Sequence, residues 1–205
     1  AKETQRSEFD PPGLIVVAPD RGFLGNEETA EAFDSFAKDR NAQLVFATDE
    51  RTKKTLDRAV QSLVKGGASQ AVVLPLFLSP SDPRFAMVRA FLAPSPAAEP
   101  GHWPVPISVG GTFGESYLAV EVLADRFREI HNPGGRRVVV VGYGANDAES
   151  RRQMETDWQR MASKAAEGFG FESVHALIWH DLSLPEYDQL ASDAQRSLQG
   201  IAQGG

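Results

Sequence analysis

Six short runs rich in β-branched residues, separated by segments of helical length, constrain this chain more than any other feature. The runs are GLIVVA (13–18), QLVFAT (43–48), QAVVLPLFL (70–78), PISVG (106–110), RRVVVVGYG (136–144) and SVHALIWH (173–180). A strand covered on both faces reads as a continuous apolar run rather than an alternating one, so these are expected to be buried parallel strands. Between them, residues 26–40, 52–66, 115–130 and 147–168 have the length of helices, and Ala119, Leu123, Phe127 and Ile130 recur at helical spacing as one buried stripe. This alternation implies right-handed crossovers, hence an α/β fold of parallel sheets flanked by helices. Ligands in such folds sit outside the carboxyl ends of the strands. The turns able to carry chemistry are therefore 19–25, 49–51, 79–84, 110–114, 142–147 and 180–185.

The pattern repeats. IVVAPDRG, the NEE that follows and LVFAT are matched by VVVVGYGAND, ES and SVHALIWH, and AVQSLVKGG is matched by AQRSLQGIAQGG. APSPAAEPGHWPVP (93–106) has the composition of a surface loop, and HNPGG (131–135) reads as a linker between two halves, residues 11–131 and 132–205. The second copy stops where QAVVLPLFL would begin, leaving two strands where the first copy has four. The expected consequence is a sheet edge that needs cover from the first half or from another subunit, hence a homo-oligomer or a truncated chain.

Some function classes are excluded early. Net charge is −7 with no Lys/Arg run longer than a pair, which leaves no concentrated basic face for nucleic acid. No apolar run approaches the roughly 20 residues of a membrane-spanning helix. The absence of cysteine removes disulfides, thiolate metal sites and cysteine nucleophiles. The chain starts at Ala1 without Met, so a leader removed before it, with a periplasmic or secreted location, is one expectation for the compartment.

GLIVVAPDRG with NEETAEAF, then LDRAVQSLVKGGASQAVVLPLFLSP, then VVVVGYGAND resemble the class II tetrapyrrole chelatases of the cobalt-sirohydrochlorin type, CbiX and SirB. The resemblance runs over roughly 13–205, and PLFLSP and NEE are its most specific elements. It implies a chelatase-like fold of duplicated halves, the second incomplete here, and a cytoplasmic place in a cobalamin- or siroheme-type pathway. It also implies a lyase that inserts a divalent metal (cobalt, iron or nickel) into a carboxylate-rich macrocycle. In the family pattern the first turn reads Gly-His-Gly-Ser and the loop after Pro-Leu-Phe-Leu ends in Gly-Gly-His. The paired imidazoles hold the metal and accept the displaced pyrrole protons.

Here the first of those positions is Pro19 and the second is Pro83. The family glutamate ahead of the second helix falls near Lys53, and the matching turn of the second copy has Tyr143. Proline ligates nothing, so the metal-insertion site is altered or lost and enzymatic activity is left open. Both first-half turns carry instead an Asp and an Arg, Asp20 with Arg21 and Asp82 with Arg84. Three uses are consistent with that. The carboxylates could hold a hard cation; the guanidinium groups could clamp a tetrapyrrole or another small anionic ligand; or cross-pairs, Asp20 with Arg84 and Asp82 with Arg21, could close a dead site. The reading from a different class is a non-catalytic binding protein whose cleft takes a small anion or serves as a subunit interface.

Of the four histidines, His102 and His131 read as surface residues, and His175 and His180 stand five apart, on opposite faces of one strand. His180 with Asp181, at the carboxyl end of that strand, is the better metal candidate because an acidic neighbour orients an imidazole and raises its basicity. The glycines of GYGAND and VGGTFGES complete no dinucleotide fingerprint and are expected to serve tight packing. Tyr117, Trp158 and Trp179 are expected in the core.

Overall fold

The computed structural model describes residues 11–93, 103–179 and 188–203. The chain divides into two compact units, Ala1–Leu76 with Met87–Gly111 and Phe77–Ala86 with Thr112–Gly205.

The sheet of the first unit has four parallel strands, β1 (Gly13–Pro19), β2 (Ala42–Ala47), β3 (Ala71–Pro75) and β4 (Ile107–Val109), in the order β2-β1-β3-β4. β1 is paired on both sides, with Val17 level with Val45 and with Pro75. Ile15 and Val17 are fully buried, which is why this strand reads as an unbroken apolar run. Helix α1 spans Gly22–Ala37 and helix α2 spans Arg51–Lys65. α2 buries Thr52, Leu56, Ala59, Val60 and Leu63 on one face, and each fully buried Leu or Val contributes roughly 1.5–3 kcal/mol.

α1 begins at Gly22 rather than near Asn26 because the preceding turn is interlocked. Asp20 Oδ1 accepts the Gly22 N–H (3.2 Å) and a side-chain N–H of Asn26 (2.5 Å), while Asn26 Oδ1 accepts the Arg21 N–H (3.0 Å). Helix α3 (Pro83–Leu92) covers a stretch the sequence pattern did not mark as helical. Its start has a recognisable cause: Asp82 Oδ1 accepts the Arg84 N–H (2.9 Å), and Pro83 occupies the first helical position, where a missing N–H costs nothing.

In the second unit a 3-10 turn (Phe113–Glu115) leads into α4 (Tyr117–Arg128), and β5 (Arg137–Gly142), α5 (Ala148–Ala165), β6 (Ser173–Ile178) and α6 (Asp188–Gln203) follow. β5 and β6 pair in parallel, with Val139 level with His175. Side chains start the helices: Ser116 Oγ accepts the Ala119 N–H (3.3 Å), and Asp147 Oδ1 accepts the Ser150 N–H (2.7 Å). One apolar cluster joins Ala119 to Met154, Trp158, Met161 and Ile178; a second joins Ala124, Phe127 and Ala165. Phe127 meets Phe169 and Phe171 edge-on, with ring centroids 5.9 and 5.3 Å apart.

The expected α4 stripe is present, since Ala119 and Phe127 are buried and Leu123 and Ile130 pack against these clusters. Of the three aromatics expected inside, Trp158 is buried and Trp179 half-buried, but Tyr117 is 73% exposed. The reason is angular, because Tyr117 stands two residues from Ala119, about 200° round the helix from the buried stripe.

The α/β architecture of parallel sheets flanked by helices is as the sequence implied. The side of β6 away from β5 is closed in an unusual way. Trp179 N–H donates to Gly142 O (2.7 Å), so the alternate residues Val174, Ala176 and Ile178 face outward. Side chains of α5 take them up. Gln159 Nε2 donates to Val174 O (2.9 Å), Ala176 N–H donates to Gln159 Oε1 (2.8 Å), and Ile178 N–H donates to Glu155 Oε1 (3.2 Å). Among the described residues, no helix is long and apolar enough to cross a membrane.

Candidate functional site

The strand ends of the first unit gather charge. β1 runs out at Pro19, level with Ala47 at the end of β2, so the turns 19–21 and 48–51 are neighbours. The Asp20 carboxylate is committed to the interlocked turn at the start of α1, and Arg21 is exposed beside it. In the adjoining turn Arg51 Nη2 lies 2.7 Å from Asp49 Oδ2, and Arg51 Nε donates to both oxygens of Asp49 at 2.9 Å. These side-chain bonds, with the backbone N–H of Arg51, lower the Asp49 carboxyl to about 2. The Arg51 guanidinium is correspondingly raised, first by its bond to Asp49 and to a lesser degree by the charge of Asp20.

The first turn of α2 carries Arg51, Lys53 and Lys54, all exposed, and no acidic residue. Glu50 at its N-cap makes no side-chain capping bond. Cations at a helix N-terminus run against the macrodipole; with Arg51 paired to Asp49 and Glu50 adjoining, Lys53 and Lys54 leave this end of the helix a small net positive charge that the helix itself does not favour. Sequence reasoning missed Arg51 and Lys54. The signal was available in RTKK, directly after a strand and directly opening a helix.

In the second unit the loop after Leu78 is held from two directions. Ser79 Oγ and Ser81 Oγ both donate to Asp157 Oδ2, at 2.6 and 2.9 Å, and the Ser81 N–H donates to Ser79 Oγ (3.0 Å). Asp157 projects from the middle of α5 and also pairs with Arg160 at 3.4 Å. Asp82, only 4% exposed, finds its partner two residues on, in Arg84; a cross-pair with Arg21 was one of the three uses the sequence left open. The guanidinium grips both of its oxygens, Nε to Oδ1 at 3.0 Å and Nη2 to Oδ2 at 2.7 Å. The turn that follows β5 closes over this pair. Gly144 has φ +127°, and a Cβ there would stand 2.5 Å from Arg84 Nη2 and 2.9 Å from Asp82 Oδ2. Ser79, Ser81 and Asp157 carried no legible signal, because their contact spans more than seventy residues of chain.

Pro19 and Pro83 therefore stand at the end of β1 and at the first position of α3, without a ligating atom in either side chain. Tyr143 is exposed. His131 lies on the surface, and His175 Nε2 is 3.0 Å from Ser173 Oγ on its own strand. His102, His180 and Asp181 lie outside the described residues. Among the described residues, no three His, Cys, Asp or Glu side chains gather in a way that could hold a metal ion.

Three comparisons with known proteins bear on this arrangement. A family model described as CbiX matches residues 24–130. No curated protein matches the chain. A solved crystal structure from Mycobacterium smegmatis is similar at 11% identity and a TM-score of 0.20, over 81% of this chain and 54% of its own, so the chain spans about half the length of that structure.

Proposed function

The chain belongs to the CbiX family, and on that premise we propose that it binds a carboxylate-rich tetrapyrrole of the sirohydrochlorin kind and no longer inserts the metal. One observation carries this reading. The two positions that resemble the family's metal-holding histidines are Pro19 and Pro83, while the neighbouring strand ends of the first unit offer the exposed cations Arg21, Arg51, Lys53 and Lys54.

The chemistry follows from the donor sets. Insertion needs a base to take the pyrrole protons and lone pairs to present the cation. Proline supplies neither, the Asp20 carboxylate is engaged by Gly22 and Asn26, and both oxygens of Asp82 are engaged by Arg84. Binding needs less, namely planar donors that meet carboxylates two bonds at a time, which a guanidinium provides and an ammonium does not. Arg21 is the first candidate for that role in the first unit, with Arg51 beside it. Arg84 is the candidate in the second, its plane fixed by Asp82. The divalent metal, cobalt foremost, is then cargo arriving with the macrocycle rather than a resident cofactor.

Titration of the full chain with sirohydrochlorin, with and without Co²⁺, followed by absorbance, tests the proposal. The expected result is saturable binding that weakens with salt, and cobalt insertion no faster than in buffer. Replacing Arg21 and Arg51 together by Ala is expected to weaken binding by about tenfold or more, since a lost charged hydrogen bond is worth about 1.5–3 kcal/mol. Insertion above the non-enzymatic rate, or no binding of the macrocycle, overturns the reading.

A further inference from the structure

Gly25 is a glycine that its own backbone does not require. It is the fourth residue of α1 and has no positive φ, so alanine would serve the helix better at that position. The requirement comes from Arg21. A Cβ on Gly25 would stand 2.7 Å from the Cβ of Arg21, 3.4 Å from its Nε and 3.7 Å from its Cδ. Residues four apart within a regular helix keep their Cβ atoms about 5–6 Å apart. The closer approach arises because Arg21 stands outside the helix, at its N-cap, with φ −120° and ψ 18°. Its side chain therefore runs back over the first turn of α1, along the backbone that the missing methyl leaves bare.

The main chain beneath that side chain is held on both sides. Arg21 N–H donates to Asn26 Oδ1 (3.0 Å), while Asp20 Oδ1 accepts the Gly22 N–H (3.2 Å) and a side-chain N–H of Asn26 (2.5 Å). The charged head is exposed, and among the described residues no carboxylate pairs with it, whereas Arg51 is bound to Asp49 and Arg84 to Asp82. A guanidinium whose stem is placed by the fold loses less freedom when a carboxylate arrives than one that must first be ordered.

We propose that Gly25 is a positioning residue, which seats Arg21 so that its guanidinium meets a ligand carboxylate two bonds at a time at the carboxyl end of β1. This rests on the binding reading above and refines it. Arg21 ranks ahead of Arg51, whose Nε and Nη2 are already held by Asp49. The affinity of the site then depends on a residue that has no side chain to offer the ligand.

Titration of the full chain with sirohydrochlorin, followed by absorbance, tests this in the wild type, Gly25→Ala, Arg21→Gly and the double variant. Glycine replaces Arg21 because the arginine's own Cβ is the atom nearest to the added methyl. Each single change is expected to weaken binding about tenfold, and Gly25→Ala to weaken it no further once Arg21 is gone. A ligand-free measurement accompanies the cycle. In nitrogen-15 relaxation the Arg21 Nε–H is expected to be ordered in the wild type and mobile in Gly25→Ala, with the exposed Arg58 as the mobile reference. Equal affinity in the wild type and Gly25→Ala, or an equal loss in both backgrounds, overturns the proposal and leaves binding of the macrocycle standing. A wild type that does not bind sirohydrochlorin overturns both this and the reading it rests on. Should Gly25→Ala fail to fold, the wild-type resonance decides, because an Arg21 Nε–H as mobile as that of Arg58 overturns the proposal by itself.

Discussion

Gly144→Ala is the most informative single change in the second unit, because two separable effects set its cost. The first is conformational, since a φ of +127° is open to glycine and strained for a residue with a Cβ, at about 1–3 kcal/mol. The second is contact: the added methyl meets Arg84 Nη2 and Asp82 Oδ2 below 3.0 Å, so the 2.7 Å bond between them must lengthen or break. A charged hydrogen bond is worth about 1.5–3 kcal/mol, and the low end applies because the Arg84 side chain is a quarter exposed and can partly recover in water. Together these give about 3 kcal/mol, a fall of roughly 1–2 M in the urea midpoint. Tryptophan fluorescence follows the transition, since Trp158 and Trp179 both belong to this unit. The two effects are separated in an Arg84→Ala background, where the conformational cost and the milder contact with Asp82 Oδ2 should remain and the penalty should shrink by about half. An equal penalty with and without Arg84 would refute the argument that this turn is shaped around the ion pair.

Three further outcomes are expected. Asp157→Ala leaves the hydroxyls of Ser79 and Ser81 without their shared acceptor, costing about 1–2 kcal/mol and accelerating amide exchange in residues 79–82; unchanged exchange counts against the anchoring role. The Asp49 carboxyl is depressed to about 2 by Arg51, so the stability it lends is complete above the ordinary aspartate range and is lost as pH falls toward 2. In Arg51→Ala its carbon-13 titration should move back to the normal range. Gln159→Ala uncovers the Val174 carbonyl and the Ala176 N–H, and should raise the exchange rate of Ala176 more than that of His175, which faces β5.

What could be read from the chain was whatever local periodicity encodes. The valine run of β5 and the GLIVVA run of β1 announced parallel strands, and the stripe from Ala119 to Ile130 announced the buried face of α4. The same stripe, followed round the helix, already placed Tyr117 outside, and only the habit of assigning aromatics to cores pointed the other way. The start of α1 was hidden because it depends on a side-chain lock between Asp20 and Asn26, six residues apart, that periodicity does not register. α3 was missed because a short apolar stretch behind Pro83 looks the same as loop or strand until Asp82 is seen to cap it. At the candidate site, Pro19 and Pro83 could be read directly at the two turns where the resemblance leads one to expect histidine. The grip of Arg84 on Asp82 was a matter of rotamers, and the hold of Asp157 on Ser79 and Ser81 a matter of tertiary fold, and neither leaves a mark on the sequence.

Helix α5 binds three partners from successive sides of one cylinder. Asp157 holds the 79–81 loop, Met154 and Trp158 fill the apolar cluster, and Glu155 and Gln159 hold the outward backbone of β6. Five of the six residues from Met154 to Gln159 thus serve a loop, a core and a strand at once. A rigid rod fastened this way cannot turn by even a fraction of a helical step without releasing all three. The loop beside Asp82 and the rim of β6 therefore open as one cooperative unit, and anything that steadies the loop steadies a strand edge that it never touches.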